Sequence, residues 1–210
     1  MNLGRSDEYL DLEDVDMKKL DTKSYENFVE LNCFNCKIGE LICSKYVIQL
    51  TIRNTKINKM VLGGYLRKVR IYNSEIDEIV CLEPLKELIF TGNNIRKITC
   101  NNSMLNLECS NNNIEEIICG RSLENLDCSN NRISKIILND NLRTLNCNNN
   151  ITKLVLNRKI KELDRSHNRI FNIVLNDDLE ELDCRYNQLT KIVCNKYLKK
   201  YIVTIMKLQR

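Results

Sequence analysis

A period of 19 residues runs through most of this chain and limits its fold more than any local propensity does. The second apolar residue of each recurring unit falls at Leu31, Leu50, Val69, Leu88, Leu107, Leu126, Leu145, Leu163 and Leu182. The spacing is 19 throughout except for a single 18 between Leu145 and Leu163, which marks one deletion near Asn148 to Ile151. Nine units result, with a partial tenth at Leu198, Tyr201 and Val203. A unit this short cannot bury its apolar face alone, so equivalent positions must line up and share one interior.

The clearest unit, Leu123, Leu126, Cys128, Asn131, Ile133, Ile136, Leu138, spells LxxLxCxxNxIxxIxL. It resembles the leucine-rich-repeat family, whose signature is LxxLxLxxN/CxL. The resemblance covers Phe28 to Lys196 and implies a right-handed superhelical solenoid with parallel strands on a concave face. Nineteen residues is shorter than is usual for the family, leaving little room for a convex helix. The β-branched second half of each unit (Ile136-Ile137-Leu138, Ile192-Val193-Cys194) predicts a short extended strand there instead. The expected fold is a repeat solenoid, predominantly β: residues 1–27 an acidic cap or degenerate repeat, 28–197 nine repeats, 198–210 a partial terminal repeat.

After the first strand an asparagine recurs at Asn93, Asn112, Asn131, Asn168 and Asn187, with Asn149 or Asn150 in the shortened unit. A buried amide there can satisfy backbone groups where the chain turns away. Cys36, Thr55 and Ser74 take the slot in the earlier units, so the N-terminal third is expected to be less regular.

All eleven cysteines fall on inward positions that Leu or Ile fill elsewhere, which reads as small buried hydrophobes kept in a reducing, cytoplasmic setting. Cys33 and Cys36 form a lone CxxC without a second pair at zinc spacing, so neither a metal nor another cofactor is expected. His167, the single histidine, sits on a turn with the neighbouring cysteines pointing inward, a poor setting for a Cys-His nucleophile. Without a phosphate loop or a paired-carboxylate cleft, the chain is not expected to be an enzyme. Arg165 takes an inward slot, and a local distortion is expected to let it snorkel to water; the sharper alternative is a kink that shapes the binding face.

Net charge is +4 from 32 basic and 28 acidic residues, too balanced to argue for nucleic acid. No apolar run approaches a membrane span, so neither nucleic acid nor membrane is expected as a partner. Local arrangement matters more. Alternation points one row of the first strand outward, and it reads acidic toward the C-terminal end: Glu108, Asp127, Asp164 and Asp183, flanked by Glu162 and Glu181. Arg53, Lys68, Arg70 and Tyr72 gather in the second and third units. On the other side, Glu40, Lys59, Glu78, Lys97, Glu116 and Lys135 alternate in sign from unit to unit, which would control register. Next to them runs a β-branched stripe, Ile42, Val61, Val80, Ile118, Ile137, Val155, Val174 and Val193, a candidate for self-association.

The family resemblance implies a protein-protein interaction module that binds a protein partner on its concave face. The competing expectation is a self-assembling structural protein, a homodimer or particle component, joined through the stripe or an open C-terminal edge. The Asn, Ile and Lys bias is similar to that of leucine-rich-repeat proteins of giant viruses of amoebae, which would make host proteins candidate partners in host cytoplasm.

Overall fold

The structure, a computed structural model, describes residues 2–5, 8–24, 28–43, 45–62, 65–80, 85–133, 135–148 and 156–203. It divides into two compact units, Met1–Ile95 with Asn101–Met104 and Arg96–Cys100 with Leu105–Arg210. Each is a parallel β-solenoid. Among the described residues there is no α-helix, only a 3-10 turn at Thr22–Ser24, and no helix long and apolar enough to cross a membrane.

In the first unit, the front strands Tyr9–Glu13, Glu30–Phe34, Gln49–Arg53, Lys68–Tyr72 and Glu87–Thr91 stack in parallel. Asn2–Arg5 joins the first of them antiparallel. The repeat spacing sets the register, with Leu31 opposite Leu50 and Leu50 opposite Val69. Alternation then buries the second and fourth residue of each strand, such as Leu50 with Ile52 and Leu88 with Phe90. Each such side chain contributes roughly 1.5–3 kcal/mol over an exposed one.

Behind them, Asp16–Asp21, Lys37–Ile42, Lys56–Val61 and Glu75–Val80 form a second parallel sheet. Its inward residues are three apart, Ile38 with Leu41 and Ile57 with Met60, rather than two. The strands absorb the extra residue by leaving Lys18, Gly39 and Asn58 out of the paired register. A Cβ on Gly39 would strike the Lys18 carbonyl oxygen, so the coils approach there as only glycine permits.

The second unit stacks Asn106–Glu108, Asn125–Asp127, Thr144–Asn146, Glu162–Asp164, Glu181–Cys184 and Lys200–Val203 at the front. Its back carries Lys97–Thr99, Glu116–Ile118 and Lys135–Ile137, and separately the pair Asn172–Ile173 and Lys191–Ile192. Leu145 still lies opposite Leu163, so the deletion does not shift the front register.

The expectation that the N-terminal third is less regular is overturned. Front strands of five residues and back strands of six occur there, against two to four in the second unit. The turn chemistry explains the difference. In the first unit the backbone N–H groups of Cys36, Thr55 and Ser74 donate to Thr55 Oγ1, Ser74 Oγ and Asn93 Oδ1 at 3.1, 3.1 and 2.9 Å, a relay that runs from coil to coil. In the second unit the Asn131 amide donates to the carbonyls of Cys109, Cys128 and Ser129 at 2.8, 3.0 and 3.1 Å, and its Oδ1 accepts from Ile114 N–H. Asn168 and Asn187 repeat this pattern of donation. An amide that gathers three carbonyls pulls the chain into its turn directly after a short strand.

Eight of the ten described cysteines are buried, and Cys109, Cys128 and Cys147 occupy one column in successive coils. Two depart from the expected interior: Cys119 is half-buried and Cys194 is exposed, two residues past the last described back strand, on which no further described strand stacks. Arg165 corrects a second expectation. It does not reach water but is 3% exposed, in the column between Cys147 and Cys184, and its Nε has no hydrogen-bond partner. Its neighbours are thiols small enough to leave space for the long side chain. Cys81, Asn149, Asn150, Lys153 and Val155 lie outside the described residues, as do the side chains of Glu78, Val80, Lys97 and Lys135.

Candidate functional site

The outward rows of the second unit's front sheet carry most of the acidic residues singled out above. Glu108 is exposed, and Asp127, Asp164 and Asp183 are half-buried beside exposed Glu162 and Glu181. Over the last four strands these rows form a shallow groove of about 210 Å³, lined by Thr144, Asn146, Glu162, Asp164, Glu181, Asp183, Lys200 and Ile202. Parallel pairing places Glu162 opposite Glu181 and Asp164 opposite Asp183. Neighbouring strands lie about 4.8 Å apart, so like charges are stacked on one another at a cost in stability.

Half of that cost is met within the chain. Lys200 Nζ lies 3.2 Å from Glu181 Oε2, and Arg185 Nη2 lies 2.6 Å from Asp183 Oδ2. Neither Glu162 nor Asp164 has an ion-pair partner among the described residues. Burial alone would push the Asp183 carboxyl up, but the Arg185 hydrogen bonds and charge outweigh it and hold Asp183 below the usual carboxylate range.

These aspartates also build the turns. Oδ1 of Asp127, Asp164 and Asp183 accepts the backbone N–H two residues on, from Ser129, Ser166 and Arg185, at 2.9, 2.8 and 3.0 Å. Asp127 Oδ2 accepts the Asn146 amide at 3.3 Å. Of the three, Asp164 is therefore the one whose second oxygen is uncommitted by any hydrogen bond seen here.

In the first unit, Lys68 Nζ and Arg70 Nη2 share Glu87 Oε1 at 2.7 and 3.7 Å, and Arg53 lies over the Tyr72 ring at 5.0 Å. Glu87, which the sequence reading passed over, partly neutralises the basic cluster. At the back, Lys19 bridges Glu40 at 3.2 Å, and pairing sets Glu40 against Lys59 and Lys97 against Glu116. The β-branched stripe is uneven. Ile42, Val61 and Ile118 are half-buried, whereas Ile137, Val174 and Val193 are 46%, 87% and 67% exposed.

Two features escaped the sequence reading although each repeats with the coil. One is a second asparagine ladder at the exit of the back strands. Asn139 donates to the carbonyls of Gly120 and Leu123, Asn157 to Asn139 and Leu142, Asn176 to Arg158 and Ile160, and Asn195 to Asn176 and Leu179. The other is a left-handed residue after nine of the front strands: Asp14, Asn35, Asn54, Asn73, Gly92, Asn111 and Asn130, then His167 and Tyr186 at φ 55° and 56°. Gly, Asn, Asp and His suit that conformation, whereas the Tyr186 ring there costs roughly 1–2 kcal/mol. The two rings stack at 4.2 Å with 24° between planes, which returns about 0.5–1.5 kcal/mol once for the pair. Stability at best breaks even on the exchange.

No protein-family model matches the sequence, and no curated protein matches it. Solved structures do. YopM from Yersinia enterocolitica matches with a TM-score of 0.54 at 17% identity over 96% of this chain. The functional domain of InlJ from Listeria monocytogenes, described as including a cysteine ladder, matches with a TM-score of 0.68 at 21% identity over 89%. A leucine-rich-repeat protein of Leptospira interrogans matches with a TM-score of 0.60 at 16% identity over 94%. The fold is that of a leucine-rich-repeat protein. This chain spans 57%, 53% and 72% of the length of those three structures. Among its described residues, no group of three or more His, Cys, Asp or Glu is placed to hold a metal ion.

Proposed function

We propose that this chain is a non-catalytic interaction module that takes a basic segment of a protein partner on the front sheet of its second unit. The observation that carries this is the groove in which Glu162 and Asp164 stack on Glu181 and Asp183 with too few cations to match them. Repulsion between stacked carboxylates is retained at a cost that a cationic ligand relieves on binding. Free thiols in the interior support a reducing, cytoplasmic setting, and the giant-virus-like composition makes host proteins the first partners to seek.

The turn role of the aspartates decides the test. Asn keeps the Oδ1 that accepts the backbone N–H and removes only the charge, so the variant is Asp164→Asn and Asp183→Asn with Glu162→Gln and Glu181→Gln, the four carboxylates of the groove. Affinity for a defined arginine- and lysine-bearing peptide, measured by titration calorimetry across salt concentrations, should fall more than tenfold and lose most of its salt dependence. Equal affinity in variant and wild type would remove the proposal.

A second reading, self-association through the back stripe, rests on the exposure of Val174 and Val193 in one column. Sedimentation that shows a monomer at high concentration, unaltered by Val174→Lys, would set it aside.

A further inference from the structure

His167 and Tyr186 each sit three residues beyond an aspartate of the groove lining, Asp164 and Asp183, and His167 is near enough for its charge to act on Asp183. Asp183 lies in the groove lining, Arg185 bridges back to Asp183, and Tyr186 follows directly in the chain. The Tyr186 ring is 61% exposed, and the stack replaces the asparagines used at the same turn in earlier coils, where Asn54 Nδ2 donates to Asn35 Oδ1 at 3.3 Å. A flat, solvent-facing aromatic surface beside unmatched carboxylates asks for a ligand that is both planar and cationic.

We propose that the His167–Tyr186 stack is a platform for a partner's arginine, whose guanidinium lies against the ring while its charge meets Asp164 and Glu162. This rests on the basic-segment reading above and narrows it. A guanidinium offers a π-face for stacking and a fork for carboxylates, and a lysine ammonium offers neither. A nucleobase would also stack, but its phosphates would meet the carboxylates of the groove, so nucleic acid is the disfavoured occupant. Two rings that share a face leave no aromatic cage, which argues against methylated lysine.

The experiment compares a short peptide alternating arginine and serine with its lysine counterpart, by titration calorimetry on the full chain. Wild type should bind the arginine peptide about fivefold or more tightly. His167→Asn with Tyr186→Asn restores the residue used in the other coils, so the variant should fold at least as well, checked by thermal melting. It should keep lysine-peptide affinity and bring the two peptides within about twofold of each other. Equal affinities in wild type, or a preference that survives in the double Asn variant, overturn the arginine platform while leaving the basic-segment reading intact. Failure of both peptides to bind wild type overturns both.

Discussion

Replacing Arg165 by methionine removes a charge from the interior while keeping a long unbranched side chain in place. Arg165 is 3% exposed and its Nε is unpartnered, and burial holds its pKa below the usual guanidinium range despite the nearby Cys147 and Cys184 and a hydrogen bond with Cys147. Leaving a buried polar group unpaired costs about 1–3 kcal/mol, and exchanging buried charged groups for apolar ones of similar volume is typically neutral or stabilising by about 1–4 kcal/mol. Arg165→Met should therefore stabilise the chain by about 1–3 kcal/mol, read as a rise of roughly 1 M in the urea midpoint at unchanged m. Arg165→Ala separates charge from volume: it removes the same charge but opens a cavity, and should fall at least about 2 kcal/mol below the methionine variant. Far-UV circular dichroism against urea at pH 7 measures both. If Arg165→Met lost more than about 1 kcal/mol at unchanged m, the guanidinium would have to be better satisfied than its geometry shows, and the reasoning would fail.

Asn131→Ala deletes an amide that serves three carbonyls and one N–H, and should cost about 2–4 kcal/mol in the same urea assay; a loss under about 0.5 kcal/mol would mean the ladder is dispensable. Burial pushes the thiols of Cys43, Cys119, Cys147 and Cys184 up from 9.0 to about 12. A raised folded pKa means the unfolded chain loses its proton first, so each thiol's contribution is intact below 9.0 and falls by about 1.4 kcal/mol per pH unit toward about 12. Urea midpoints should accordingly drop steeply between pH 9 and pH 11, and a flat profile would show the thiols to be hydrated.

Much of the fold was legible because a period is a global constraint. Leu31, Leu50 and Val69, read as equivalent from spacing alone, are paired residue by residue. The Asn131 slot and the inward column of Cys109, Cys128 and Cys147 follow from the same alignment. The second ladder at Asn139, Asn157, Asn176 and Asn195 was equally periodic, but asparagines in a turn look like ordinary turn residues until their amides are seen to reach the previous coil. The candidate site was legible only in part. Alternation put Asp164, Asp183, Glu162 and Glu181 on one face, yet gave no sign that Asp127 and Asp183 spend their oxygens on turns and on neighbouring side chains.

Spacing and alternation, then, were enough to settle the strand register and most of the interior, Cys119 and Cys194 excepted, because every coil repeats one backbone path and the apolar pattern has one register that buries it. What each individual side chain does at its station depended on the neighbours across the coil. Arg165 is sealed between two thiols, Lys68 and Arg70 converge on Glu87, and Tyr186 stacks on His167 at a turn that earlier coils give to Asn or Gly. Those contacts join residues 17 to 19 positions apart, and only the stacked structure brings their side chains together.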